Sequence, residues 1–148
     1  MIPADFPSIV KLTAKEHWGY GTRDLRRMLT LEPKGCLVAA LDNRPVGLTT
    51  AISYGRKLGW IGNVVVHREH RRAGIGSRLV ESGIRHLLRS RVNSIGLNSY
   101  PENVRMYERL NFKTVDDFVR LSIRRRTGTR PRRSQGIPFA DILRLDRH

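Results

Sequence analysis

Three consecutive valines, Val64-Val65-Val66, run into the basic segment His67-Arg68-Glu69-His70-Arg71-Arg72 and then into Ala73-Gly74-Ile75-Gly76-Ser77. The apolar run predicts a strand over 60–66 buried on both faces. Over 74–91, Ile75, Leu79, Val80, Ile84, Leu87 and Leu88 form one stripe with Arg78, Glu81, Arg85 and Arg89 outside it, which predicts an amphipathic helix. Glu81 and Arg85 stand at the favourable i,i+4 spacing. A strand passing through a basic glycine turn into a helix makes an anion site, because the first helical N–H groups lack intrahelical partners and the helix end is partly positive. Glycines at 74 and 76 let a ligand approach the backbone closely. Two phosphate motifs are excluded: Leu79 breaks G-x-G-x-x-G, and no G-x-x-x-x-G-K-[ST] occurs.

The flanking sequence places this unit in a layered fold. Asp5 is the expected N-cap of a first helix over 5–14, with Ile9 and Leu12 on one face. A second helix begins near Thr22, carries Leu25, Met28 and Leu29, and ends at Pro33. Residues 36–53 predict two strands joined at Asp42-Asn43-Arg44. Beyond the long helix, 93–99 reads as a strand, and Pro101 opens a helix through Val104, Tyr107 and Leu110. Residues 112–115 and 118–123 are expected as two closing strands separated by Asp116-Asp117. This order predicts a mixed α/β layer fold.

Charge distinguishes the end of the chain. The net charge is +15, of which residues 120–148, with nine arginines against two aspartates, hold +7. Such a balance favours anionic ligands without choosing among nucleotide, nucleic acid and acidic protein. Residues 124–136 lack apolar periodicity and read as an Arg-rich linker. Residues 137–148 regain helical spacing at Phe139, Ile142, Leu143 and Leu145, as a tail helix or the start of a truncated second domain. No apolar run reaches the length of a membrane span, and the N-terminal residues 1–10 lack the basic flank and apolar stretch of a signal peptide. One cysteine, Cys36, excludes an internal disulfide framework, so the cytoplasm is the expected compartment.

Arg71-x-x-Gly74-x-Gly76 after a valine-rich strand resembles motif A of the GNAT N-acetyltransferase superfamily, Q/R-x-x-G-x-G/A. The segment Asn98-Ser99-Tyr100-Pro101-Glu102-Asn103-Val104-Arg105-Met106-Tyr107-Glu108-Arg109-Leu110-Asn111-Phe112 resembles its later N-x-x-a-x-x-x-Y-e-x-x-G-F segment, with Asn103, Tyr107, Glu108 and Phe112 in register. Asn111 stands for the usual glycine and shares its tolerance of left-handed backbone. The order of elements over 1–123 also fits, with the superfamily's first strand short or missing because only Met1-Ile2 precede Pro3.

The resemblance implies a mostly antiparallel twisted sheet flanked by helices, with acetyl-CoA in the splay between central strands. Backbone N–H groups of Arg71, Arg72, Ala73, Gly74, Ile75, Gly76 and Ser77 would cradle its pyrophosphate. The edge Val64, Val65, Val66 would hold the pantetheine, and an N–H near Val65 or Val66 would polarise the thioester. Asn103 would contact the CoA arm. A primary amine would attack directly, and Tyr107 would protonate the leaving thiolate. Glu16, His17, Tyr20 and Asn63 are the candidates on the substrate side.

Other readings of these residues remain open. Tyr107 also fits a core aromatic at helical spacing, and Trp18 and Tyr20 fit either a pocket lining or a staple between helices. His67 and His70 have a ligand-like i,i+3 spacing, but no third donor is evident, so no metal is expected. Cys36 opens a predicted strand with no visible base and reads as packing. The acceptor is a small molecule or a protein, with an acidic one favoured by the basic surface, and a homodimer is left open. The rival function is a degenerate GNAT-fold binding module using the arginines between Arg124 and Arg133 on nucleic acid or an acidic partner; no aromatics interleave them as a stacking platform requires.

Overall fold

In the computed structural model, which describes residues 1–117, the sheet has four strands in the order β1-β2-β3-β4. They are β1 (Cys36–Leu41), β2 (Arg44–Tyr54), β3 (Leu58–Val66) and β4 (Ser94–Leu97). The first two pairings are antiparallel and β3–β4 is parallel. Four α-helices accompany them: α1 (Phe6–Ala14), α2 (Thr22–Leu31), α3 (Ile75–Arg89) and α4 (Val104–Glu108). Residues Met1–Val115 form one compact unit.

Local chemistry accounts for most boundaries. Asp42 and Asn43 take φ of 46° and 61°, the left-handed pair that a tight β1–β2 hairpin demands and that Asp and Asn tolerate. The second helix begins at Thr22 as expected, and Asp24 accepts the Gly21 N–H at 2.8 Å. Asp5 behaves differently from a simple N-cap. A 3₁₀ turn (Pro3–Asp5) precedes α1, and the Asp5 carboxylate turns back to accept the Ile2 N–H at 2.7 Å. The Met1 ammonium donates to the Cys36 carbonyl at 2.7 Å, fastening the N-terminus to β1.

Two apolar clusters cover the two sheet faces. Phe6, Ile9, Leu12 and Leu25 from α1 and α2 pack on Leu48 and Val65. Val80 and Leu87 of α3 pack with Ala51, Ile61, Val92 and Tyr107. Ile61 and Val65 differ by an even number, so an unbroken strand would point both the same way. A bulge separates them: Leu48 pairs with Val65 but Thr50 pairs with Gly62, and Asn63 sits at φ 55°. The extra residue reverses the alternation, so one strand feeds both cores.

Several expectations are corrected. Leu88 is 58% exposed, outside the stripe that buries Leu79, Val80 and Leu87. Arg85 donates to Ser82 Oγ at 2.7 Å rather than reaching Glu81. The helix begun by Pro101 is a 3₁₀ turn followed by α4, which stops at Glu108. Residues 112–115 form no strand. The chain turns out at Asn111, whose φ is 66°, while Phe112 folds back to donate its N–H to Tyr107 O and set its ring edge-on to Tyr107 at 6.1 Å. The expected strand over 118–123, the linker and the tail lie outside the described residues.

Candidate functional site

The turn between β3 and α3 is built to expose donors. Arg72 and Gly74 both adopt left-handed backbone, φ 64° and 76°, and alternating hands turn successive N–H groups into one concavity. Gly74 is the N-cap of α3, and the first bond into the helix is Arg78 N–H to Gly74 O at 3.1 Å. The N–H groups of Ile75, Gly76 and Ser77 therefore belong to the open helix end. A Cβ on Gly74 would meet nothing within 4 Å, but an L side chain would be strained at that φ. A Cβ on Gly76 would make only ordinary contact, 3.6 Å to Met106 Sδ and 3.8 Å to Val66. Internal packing does not demand that glycine, whereas close approach by an outside group would.

The Arg71 side chain does not reach outward. Its Nε donates to Val66 O at 2.9 Å and its Nη2 pairs with Glu16 Oε1. Arg71 thus ties the loop to the end of β3 and to the turn after α1. Contrary to the sequence expectation, its backbone N–H is already bonded to Arg68 O at 3.3 Å, closing the preceding 3₁₀ turn, so the open donors begin at Arg72. Arg72, Ala73 and Gly74 are exposed.

Beside this loop the sheet opens. Parallel pairing runs from Leu58↔Ser94 to Ile61↔Leu97 and stops there, leaving Gly62–Val66 without a partner on the β4 side. His67 N–H bonds Val46 O on β2, so alternation turns the backbone groups of Val66, and next Val64, to the open side and those of Val65 towards β2. The Val66 carbonyl accepting Arg71 agrees with this. Of the two N–H groups named from sequence, that of Val66 faces the open side and that of Val65 faces β2.

Tyr107 lies on α4. It is buried among Ile61, Val80 and Leu87, with Val64 and Leu97 packed against the cluster. Burial pushes its phenol above the usual value. Its core packing and a role at the splay are compatible, since the cluster lines the strands where they part. Asn103, the N-cap of α4, is exposed and bonds Tyr100 O through its N–H.

The four substrate-side candidates separate into two pairs by placement. Tyr20 donates to Asn63 Oδ1 at 2.7 Å, and Asn63 Nδ2 donates to Thr50 Oγ1 at 3.0 Å with Met28 Sδ at 3.6 Å. The side chain that holds the bulge is thus also the partner of Tyr20. Trp18 stacks edge-on to Tyr20 at 5.9 Å and packs on the α1–α2 core, which fits the staple reading. Glu16 is engaged by Arg71. His17 is exposed, at φ 58°, and stands apart from the network.

Sequence reasoning missed Thr50 and Met28, whose partners become visible only when the strands align. It also missed Glu69, which joins His67 and His70 in a group of three potential donors. Cys36 is buried, and desolvation pushes its thiol up against a smaller lowering from the N-terminal ammonium, with Glu32 adding a lesser upward push. That is the environment of an inert packing residue.

Comparison with known proteins agrees with this fold. The family described as "Acetyltransferase (GNAT) family" matches residues 6–112. A curated relative, holothin acyltransferase of Pseudoalteromonas sp., is 26% identical over 106 residues, covering 72% of this chain and 35% of its own. The chain therefore spans about a third of that relative's length. Ard1 from Thermoplasma volcanium superposes with a TM-score of 0.72 at 20% identity, covering 78% of this chain and 81% of its own. Rv2747 from Mycobacterium tuberculosis, solved with CoA and NLQ, gives 0.69 at 17% identity, covering 78% and 70%. These two likenesses bear on the fold.

Proposed function

The chain belongs to the acetyltransferase (GNAT) family, and on that premise we propose that it transfers an acetyl group from acetyl-CoA to a primary amine by direct attack. One observation carries the reading: the left-handed Arg72 and Gly74 and the open N–H groups of α3 lie beside the point where β3 and β4 part. A cradle of backbone donors at a helix N-terminus suits a pyrophosphate. The free edge of β3 suits an amide-bearing arm, which can bond to it as an added strand would.

Each group then has a task. Backbone N–H groups from Arg72 to Ser77 hold the pyrophosphate, with Asn103 on the CoA arm. Val64 and Val66 turn N–H groups to the pantetheine and thioester, and one of them polarises the carbonyl as negative charge develops on its oxygen. The neutral amine attacks the carbonyl carbon, the resulting nitrogen releases a proton to solvent, the C–S bond breaks, and Tyr107 gives its proton to the leaving sulfur and is reloaded from solvent. A phenol whose ionisation is pushed up by burial still carries that proton at neutral pH.

The amine enters from the side of Tyr20 and Asn63. Glu16 is committed to Arg71, which leaves the Tyr20–Asn63–Thr50 network as the polar group best placed to orient the acceptor. The acceptor class is a small molecule or a protein, and the basic surface favours an acidic one. Among the described residues no helix is long and apolar enough to cross a membrane, and a free buried thiol suits the reducing cytoplasm. The nucleic-acid alternative rests on Arg124 to Arg133, outside the described residues, and nothing described favours it.

Acetyl-CoA binding is the test. At a hundredfold excess over its Kd, a ligand of the folded state adds about 2.7 kcal/mol, which raises Tm by several degrees. A screen of amines for CoA thiol release then identifies the acceptor. No shift with acetyl-CoA, together with tight and salt-sensitive RNA binding, would overturn the enzyme reading.

A further inference from the structure

The turn that feeds the cradle carries a second constellation. His67, Glu69 and His70 each offer one ligand atom, all within 4.8 Å of one another. His67 caps a 3₁₀ turn (Arg68–His70), and in that geometry residues three apart eclipse. The two rings accordingly lie on one side, 5.7 Å apart and tilted by 45°. His67 Nδ1 is buried with no hydrogen-bond partner among the described residues. Glu69 Oε2, its nearest ionic neighbour, stands 3.8 Å away, too far for a hydrogen bond. A buried ring nitrogen left without a partner is costly and calls for an explanation.

We propose that His67 Nδ1, Glu69 and His70 bind a divalent transition metal of borderline softness, with Zn²⁺ as the representative ion. Two imidazoles and a carboxylate suit Zn²⁺, Co²⁺ or Ni²⁺, whereas Mg²⁺ and Ca²⁺ require a richer set of oxygens. Tetrahedral Zn²⁺ with bonds of roughly 2.0–2.1 Å needs donors about 3.3 Å apart. Side-chain rotation achieves that closure, because the Glu69 side chain is 81% exposed and His70 is only half-buried. Three protein ligands leave a fourth position for water.

The proton balance gives the site a particular signature. Lys15 Nζ lies 2.9 Å from His67 Nε2, and an ammonium only donates, so the proton of the neutral ring resides on Nδ1. Coordination through Nδ1 requires that proton to pass through solvent to Nε2, keeping the ring neutral, while the exposed Lys15 swings to water. Lys15 therefore opposes the ion twice, by its charge and by the tautomer it enforces. The proposal depends on neither acetyl-CoA nor an acceptor, although a bound ion would brace the turn immediately before Arg71.

The experiment uses the untagged full chain, stripped with a chelator and titrated with Zn²⁺ by calorimetry in the absence of CoA. One equivalent binds, Co²⁺ in its place gives the visible absorption of a tetrahedral site, and Mg²⁺ gives neither. Glu69→Gln and His70→Ala each weaken Zn²⁺ at least tenfold, and Lys15→Gln tightens it severalfold. Metal-free Tm shows that each variant is folded, and if His70→Ala is not, Glu69→Gln answers the same question. Absence of Zn²⁺ binding, or binding undiminished in a His67→Ala/His70→Ala double variant, overturns the proposal. A Zn²⁺ affinity unaffected by Lys15→Gln removes the assignment to Nδ1. Because no CoA is present, failure here leaves the acetyl-transfer reading to its own test.

Discussion

Tyr107 is the residue on which burial and chemistry meet. Desolvation disfavours the phenolate, so its ionisation lies above the usual value of about 10. An acid held this way remains loaded between pH 7 and 9, where neutral amine accumulates. Between pH 7 and 9 the rate is expected to rise with pH as neutral amine accumulates, with no decline attributable to Tyr107. Tyr107→Phe keeps the ring in its core and removes the proton; turnover should fall about 100-fold while acetyl-CoA affinity changes little. Steady-state kinetics, on a substrate whose chemistry limits the rate, combined with calorimetry, check both halves. Unchanged turnover would return Tyr107 to packing alone.

Glu32 serves stability. Burial raises its carboxyl, but hydrogen bonds from the Ser53 hydroxyl and amide, with His86 nearby, outweigh that and hold it below the usual carboxylate value. Ser53 Oγ donates at 2.7 Å. His86 Nε2 is 3.3 Å from Oε1 but poorly aligned for a hydrogen bond, so its contribution is mainly charge attraction. A depressed carboxyl stabilises the fold fully above its unfolded pKa, about 4.3, and this is lost as pH falls through the folded value. Glu32→Gln should therefore cost about 1–2 kcal/mol at pH 7, shrinking towards zero in acid. Urea midpoints at pH 7 and pH 3 measure the difference; an equal loss at both would assign the effect to packing.

At the scale of elements, the central feature is the bulge in β3. The valine run announced a strand buried on both faces, and Val65 and Val66 are buried accordingly. The reversal at Asn63 was not announced, because periodicity reports which residues are apolar and not where a pleat gains one. Gly62-Asn63 inside a strand pattern was the available signal. The cradle was legible because Gly74 and Gly76 have no apolar role to confuse it. Leu88, Arg85 and residues 112–115 were misread for a common reason: helical and strand spacing offers more partners than the tertiary fold uses. Asn63 also allows a direct test. Asn63→Gly keeps the left-handed backbone and loses the bonds to Tyr20 and Thr50, whereas Asn63→Val loses both. The valine variant should be less stable than the glycine variant by about 1–2 kcal/mol, read from thermal unfolding. Equal stabilities would show that the bulge survives without a left-handed residue.

For the whole molecule, net charge of +15 bears on association and says little about the fold. Acetyl-CoA is a polyanion, and its proposed cradle is flanked by Arg68, Arg71, Arg72 and Arg78. Of these, Arg71 already spends its guanidinium on Val66 and Glu16, so the proposed grip on the pyrophosphate would rest mainly on backbone N–H groups. Short-range donors and a long-range field leave different kinetic traces. The field draws the anion in and is screened beyond roughly 10 Å at 0.1 M salt, whereas contacts made after docking are screened much less. Raising salt from about 0.05 to 0.5 M, across which the Debye length falls severalfold, should slow acetyl-CoA association severalfold and leave dissociation nearly constant. Gly74→Ala should do the reverse, because it distorts the donors without altering the charge: association holds and dissociation accelerates. Stopped-flow measurements of both rate constants separate the two. If salt accelerated dissociation as strongly as the glycine variant does, the arginine side chains, and not the backbone cradle, would be the principal contact.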